Sequence, residues 1–187
     1  MYEDLKIILY PDPRLKKISA PVKAFDERLR ALAARMFELM REAKGVGLAA
    51  PQVGENVRLF VMNATQDPAD DRVYVNPVLS DFEGEEEQEE GCLSLPGIHV
   101  NVNRGKQVRM QAQDLDGRPI EEVATGFNAR VWQHEFDHLN GTMLTDRMGP
   151  VAKMANRRIL NELREQYEVL NPPPPPPKRP KRKPRDD

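Results

Sequence analysis

The stretch His134-Glu135-Phe136-Asp137-His138 constrains this 187-residue chain more than any other. In a helix its two imidazoles lie four residues apart, one turn above each other, where they can grip a single metal ion. Glu135 then points at whatever that ion binds. The reaction class implied is metal-assisted hydrolysis, with the metal polarising a carbonyl and a bound water becoming the nucleophile. The same five residues also fit a helix whose histidines are only exposed or hydrogen-bonded polar groups, and they do not identify a substrate.

The length suits one domain with its own core, read here as residues 1–170, followed by a tail at 171–187 that is expected to be disordered. That tail carries six Lys or Arg against two Asp, a charge of +4, which leaves −6 on residues 1–170 for a total of −2. An acidic body and a basic end are therefore hidden in a near-neutral total. Its run Pro172 to Pro177 reads as an extended polyproline spacer, and the basic residues beyond it as an arm for phosphates, a membrane surface or a proline-binding groove, or as a solvated end with no dedicated partner. A single cysteine, Cys92, excludes an internal disulfide framework and points to a reducing cytoplasm. No run reaches the length of a membrane span, and the N-terminus lacks the apolar stretch of a signal peptide, so a soluble intracellular protein is expected.

Residues 5–10 read as a short strand or extended segment ended by Pro11 and Pro13. From Asp26 to Ala43 the apolar spacing predicts an amphipathic helix stopped by Gly45. Val57 to Asn63 and Val73 to Leu79 read as strands, the second interrupted by Pro77 and so placed near an edge. Asp81 to Glu90 holds seven carboxylates in ten residues, which reads as a solvated, self-repelling loop. Residues 98–124 alternate as sheet, Ala124 to Gly141 is the helix of the histidine pair, and Pro150 starts a last helix with an apolar stripe at Val151, Met154, Ala155, Leu160, Leu163 and Tyr167.

Two further stretches carry possible chemistry. Gly45 to Gly54 surrounds one amide side chain, Gln52, with small residues; it reads as turn and packing, or as backbone close to a ligand with Gln52 aimed at a developing oxyanion. Glu90 to Gly97 holds the lone thiol, which is either a small buried hydrophobe or a soft ligand that, with imidazole, suits Zn, Fe, Co or Ni. For a third ligand, the extended pattern HExxHxxGxxH is excluded, because Leu144 stands where its last histidine belongs. Glu162 or Glu165 on the last helix, His99 and Cys92 are the other candidates. Cys92 is preferred, since Gly91 before it and Pro96 soon after suggest a bent segment with exposed backbone. Thiolate and two imidazoles leave a net +1 on a divalent metal and a fourth position open to water. Glu135 would take the water's proton and pass it to the leaving amine, and the Leu93 N–H with Gln52 would hold the oxyanion. A purely structural, non-catalytic metal module is a third reading; such a site closes its fourth position rather than keeping a carboxylate beside it.

Three segments, Gly45-Val46-Gly47-Leu48-Ala49-Ala50-Pro51-Gln52, Glu90-Gly91-Cys92-Leu93-Ser94 and Gln133-His134-Glu135-Phe136-Asp137-His138-Leu139-Asn140-Gly141, together resemble the peptide deformylases of the first type, bacterial or organellar, over about residues 5–165. The resemblance implies an α+β fold with antiparallel sheets around a central metal-binding helix and a C-terminal helix. It implies removal of the formyl group from the N-terminal formylmethionine of nascent polypeptides, with release of formate. By motif position it implies Cys92, His134 and His138 as ligands of Fe²⁺, replaceable by Zn²⁺, Ni²⁺ or Co²⁺. Glu135 would be the general acid and base, and Gln52 with Leu93 the oxyanion hole. Gly47 and Gly91 would bond the peptide, and Val46, Arg130 and Val131 would lie near the methionine. His99 stands where some relatives place an arginine, which leaves contacts beyond the methionine open. The basic tail is outside the family pattern and is expected to reach the ribosome. No membrane partner and no tight homo-oligomer are expected, and a bacterial cytoplasm is preferred to an organelle.

Overall fold

In the computed structural model, which describes residues 1–172, helix α1 (Glu27–Glu42) begins where the Asp26 carboxylate accepts the Leu29 N–H at 3.0 Å. It buries Leu29, Leu32, Ala33, Met36, Phe37, Leu39 and Met40, the face predicted from their spacing. The left-handed residue that ends it is Lys44 (φ +55), not the expected Gly45. Gly45 serves another purpose: a β-carbon there would lie 2.7 Å from the Leu93 side chain, so glycine lets the two segments close on each other.

Seven strands follow in two antiparallel sheets: β1 (Gly47–Ala49), β2 (Leu59–Met62), β3 (Arg72–Glu83), β4 (Glu86–Cys92), β5 (Leu95–Arg104), β6 (Gln107–Gln113) and β7 (Pro119–Thr125). The larger sheet has the order β1-β2-β3-β6-β7, and β4 with β5 forms a separate hairpin. Helix α2 (Gly126–Leu139) lies between the sheets. Ala129, Val131, Trp132 and Leu139 pack on Phe60, Met62, Tyr74 and Met110 of the larger sheet. Arg130, His134 and Asp137 bond toward β4 and β5, directly or through Arg104. The α+β architecture, antiparallel sheets around a central helix, is thus the one expected.

Several local expectations need correction. Residues 5–10 join no sheet, and Tyr10 lies in a turn; the segment is tied by Ile8 N–H to the Gln52 carbonyl (2.8 Å) and Tyr10 N–H to the Ser94 carbonyl (2.9 Å). β3 is central rather than an edge, because it pairs with both β2 and β6. Pro77 is accommodated by a register shift between Val75 and Val78, where Asn76 turns at φ +52 and its side chain bonds both main-chain groups of Val22; a bulge needs no ladder donor from proline. Asp81 to Glu90 is not a loop but the end of β3, paired with β6, and most of β4, paired with β5, joined by a turn at Gly84 (φ +62). Its carboxylates mostly face solvent, with Glu90 the buried exception.

The last helix is interrupted at Asn156, giving α4 (Pro150–Ala155) and α5 (Arg157–Leu170), after a short α3 (Leu144–Arg147). Leu160 and Leu163 enter the core under β5 with Cys92, Leu95, Ile98 and Met143. Val151 and Met154 remain 82% and 78% exposed, because the break rotates them off that face. The proline run and basic arm fall outside the described residues from position 173 onward.

Gly141 ends α2 in the left-handed region (φ +69), and a β-carbon there would run into the Lys16 carbonyl. The Gly141→Ala variant is expected to lose about 1–3 kcal/mol from backbone strain, plus whatever the clash adds. Urea unfolding measures it; a midpoint within error of the parent would contradict the assignment.

Candidate active site

β4 places alternate residues on one face, so Glu90 and Cys92 both point inward toward α2. α2 supplies His134 and His138 one turn apart. Their Nε2 atoms are 3.3 Å apart, Cys92 Sγ lies 3.4 Å from His138 Nε2, and all three donors fall within 4.8 Å of one another. A tetrahedral ion about 2.3 Å from sulfur and about 2.1 Å from each nitrogen needs donors roughly 3.3–3.6 Å apart. The His134–His138 and Cys92–His138 separations match such an ion, and the third pair lies within 4.8 Å. Glu162 and Glu165 sit on the exposed side of α5, Glu162 paired with Arg158 at 2.8 Å, and neither joins this group. His99 is exposed at the rim of the adjoining cavity, its ring over Gly91.

The orientation of His134 is set from behind. Its Nδ1 lies 2.9 Å from Glu90 Oε2, so the ring directs Nε2 toward Cys92 and His138. Glu90 also accepts from Arg104 Nε and Nη2 (both 2.9 Å) and from Arg130 Nη1 (2.7 Å). Arg104 continues to Asp137 at 2.6 Å. Burial opposes the charge on Glu90, yet Arg104 and His134 hold its carboxyl well below the usual range. Burial likewise opposes charge on His134, but Cys92 and Glu90 beside it raise its pKa well above the ordinary value. Burial and the neighbouring His134 push His138 well below it.

Glu135 is 4% exposed, its Oε2 has no hydrogen-bond partner among the described residues, and burial pushes its carboxyl up to about 7. Gly47 on β1 closes against it so tightly that a β-carbon there would run into Oε1. Gln52 is 1% exposed; its Oε1 accepts the Ala49 N–H at 2.9 Å, which directs Nε2 toward Ser94 Oγ (3.2 Å) and Cys92 Sγ (3.6 Å).

Gly47, Gln52, Glu90, Cys92, His134 and Glu135 line a cavity of about 550 Å³ that also takes in Val46, Gly91, Leu93, Phe127 and Val131. Apart from Glu162 and Glu165, every candidate site residue read from the sequence borders this cavity except His138, which is 1% exposed. Arg130 borders it too, but its guanidinium donates to Glu90 and to the carbonyls of Val102 (2.9 Å) and Glu86 (2.6 Å), so it faces the hairpin rather than a ligand.

Sequence reasoning missed Glu90 and Arg104. The signal was the period of two: Glu90 is in phase with Cys92, and Arg104 with Ile98, Val100 and Val102, so both fall on buried faces.

The sequence model of the polypeptide deformylase family matches residues 4–154. The chain is 44% identical to a peptide deformylase of Chromobacterium violaceum over 87% of its length and 95% of that protein. It is 42% identical to the chloroplastic peptide deformylase 1B of Oryza sativa, over 88% of this chain and 62% of that one. Among solved structures it is similar to a peptide deformylase from Legionella pneumophila (TM-score 0.83, 42% identity, 90% of this chain and 99% of that one). The inhibitor complex of Arabidopsis thaliana peptide deformylase 1B gives TM-score 0.86 and 37% identity over 92% and 97%.

Proposed function

Since the chain belongs to the polypeptide deformylase family, metal-dependent hydrolases that remove the N-formyl group from the formylmethionine of nascent polypeptides, we propose that the cavity on α2 is where it does so. One observation carries the reading: three potential metal donors meet beside a buried carboxylate oxygen without a partner among the described residues and a fixed amide donor, and Cys92, His134, Glu135 and Gln52 border the same cavity.

Cys92, His134 and His138 would hold the divalent ion, Fe²⁺ natively, with Zn²⁺, Ni²⁺ or Co²⁺ able to use the same donors. When bound, that ion supplies Lewis acidity to the formyl carbonyl and lowers the pKa of water. Glu135 takes the proton of the attacking water and returns it to the amine nitrogen as the C–N bond breaks, giving formate and a free N-terminus. A carboxyl near pKa 7 suits both directions of that transfer. Gln52 Nε2 donates to the developing oxyanion, with the Leu93 N–H as second donor. The backbones of Gly47 and Gly91 bond the peptide, while Val46, Val131 and the apolar part of Arg130 border the methionine side chain.

The direct test is formate release from formyl-Met-Ala by protein loaded with Fe²⁺ under anaerobic conditions, with Met-Ala and acetyl-Met-Ala as controls. Activity confined to the formyl peptide is expected, as is faster decay in air, because ferrous iron and its thiolate ligand are both oxidisable. Equal lifetimes with and without oxygen would count against iron, and cleavage of unformylated peptide bonds would count against the substrate.

Residues 1–170 form the catalytic domain in this reading, and residues 171–187 are an arm for ribosomal RNA, supported by its charge of +4 on an otherwise acidic chain. Removing residues 172–187 should weaken co-sedimentation with ribosomes at low salt, and unchanged co-sedimentation would end the idea. A bacterial cytoplasm is the proposed location, supported by the bacterial relatives and the lone cysteine, and no described helix is long and apolar enough to cross a membrane.

A further inference from the structure

The geometry points to Ser94 as a positioning residue for the Gln52 amide, an inference that rests on the oxyanion role proposed for Gln52. The terminal torsion of a glutamine is broad and roughly two-fold, so a buried amide needs more than one anchor to aim a single N–H. Ala49 N–H donates to Gln52 Oε1 at 2.9 Å, which settles which end is nitrogen. Ser94 Oγ accepts from Nε2 at 3.2 Å and so captures one of the two amide protons. The other is donated to Cys92 Sγ, 3.6 Å from Nε2, and so is aimed to the side of the metal donors.

Ser94 stands behind Gln52 and is 0% exposed. Its own place is set by main chain: Tyr10 N–H donates to the Ser94 carbonyl at 2.9 Å, and Ile8 N–H to the Gln52 carbonyl at 2.8 Å. One extended segment therefore ties both partners. Ser94 reaches the reaction through Gln52 alone. Without the hydroxyl, a buried N–H loses its acceptor and the amide can turn off its axis. The bond to the oxyanion strengthens only in the transition state, so the loss falls on kcat rather than KM.

The test compares the Ser94→Ala, Gln52→Ala and doubly substituted enzymes at equal metal content on formyl-Met-Ala, with Tm as the check on folding. Ser94→Ala should lower kcat about tenfold and leave KM within about twofold. In the Gln52→Ala background the same change should remove nothing further. An unchanged kcat for Ser94→Ala, or an equal loss in both backgrounds, would overturn the assignment to Ser94. If Gln52→Ala itself kept the parent kcat, the role of Gln52 would fail first, whatever Ser94 did. Should Ser94→Ala not fold, Ser94→Cys, which keeps the volume with a poorer acceptor, is judged by the same two criteria.

Discussion

Replacing Glu135 with Gln should leave a folded protein with its full metal content that releases formate about 10²–10⁴-fold more slowly, the range a positioned proton-transfer group contributes. The substitution keeps the shape of the side chain. That matters here, because Gly47 presses on Oε1 and leaves no room for a rearranged group. What changes is proton capacity: an amide neither takes the water's proton nor returns one to the departing nitrogen. Metal content should hold, since the proposed donors are Cys92, His134 and His138. Oε2 has no partner to lose, so stability should not fall and can rise, as expected when an unpaired buried carboxylate becomes neutral. Metal analysis, thermal unfolding and single-turnover formate release check the three parts. A kcat within tenfold of the parent would remove Glu135 from proton transfer.

Glu90→Gln should cost about 3–5 kcal/mol of stability, the range found when one partner of a buried ion pair is removed. The carboxylate is 7% exposed and receives four bonds, two from Arg104 and one each from Arg130 and His134. The amide cannot replace it: one of its ends donates, and it would face donors. Asp137 partly compensates Arg104, but Arg130 keeps only carbonyl partners. His134 also loses the acceptor that orients its ring, so metal affinity should fall about 10–100-fold. Glu87→Gln on the same strand is the control, because its exposed carboxylate makes no ion pair among the described residues and its loss should lie within about 0.5 kcal/mol. Urea unfolding and metal titration of both variants test the contrast. A Glu90→Gln deficit below about 1 kcal/mol would show that the ionic cluster is not what holds the hairpin to α2.

Much of the site was legible because its elements are local. Two histidines four residues apart meet on any helix, and the helix itself is announced by its apolar spacing and by Gly141, which alone tolerates the left-handed turn against Lys16. The alternation of residues 98–124 likewise needs only neighbouring residues to be recognised. The resemblance to a known family joined Gln52, Cys92 and the histidine pair; Gln52, Cys92 and His134 border one cavity, and His138 lies against Cys92 and His134.

The errors share one cause, which is that a partner far along the chain changed the balance. Seven carboxylates in ten residues repel in isolation and read as a loop. They form strand because β6 pairs with β3 as far as Glu83, because β5 pairs with β4 from Arg104 to Leu95, and because Arg104, 14 residues on, and Arg130, 40 residues on, neutralise the one carboxylate that faces inward. Pro77 reads as an edge signal until a bulge and the Asn76 contacts to Val22 remove the need for its missing donor. Val151 and Met154 belong to the apolar stripe only if the helix is continuous, and the break at Asn156 is decided by which face of α5 meets β5. The sequence by itself therefore determined which chemistry-bearing residues exist and which helix or strand carries most of them, since those depend on spacing of a few residues. Only the tertiary structure decided which charges are buried, what orients His134 and Gln52, and how the hairpin locks onto α2, because burial and pairing arise between segments that meet only after the chain has folded.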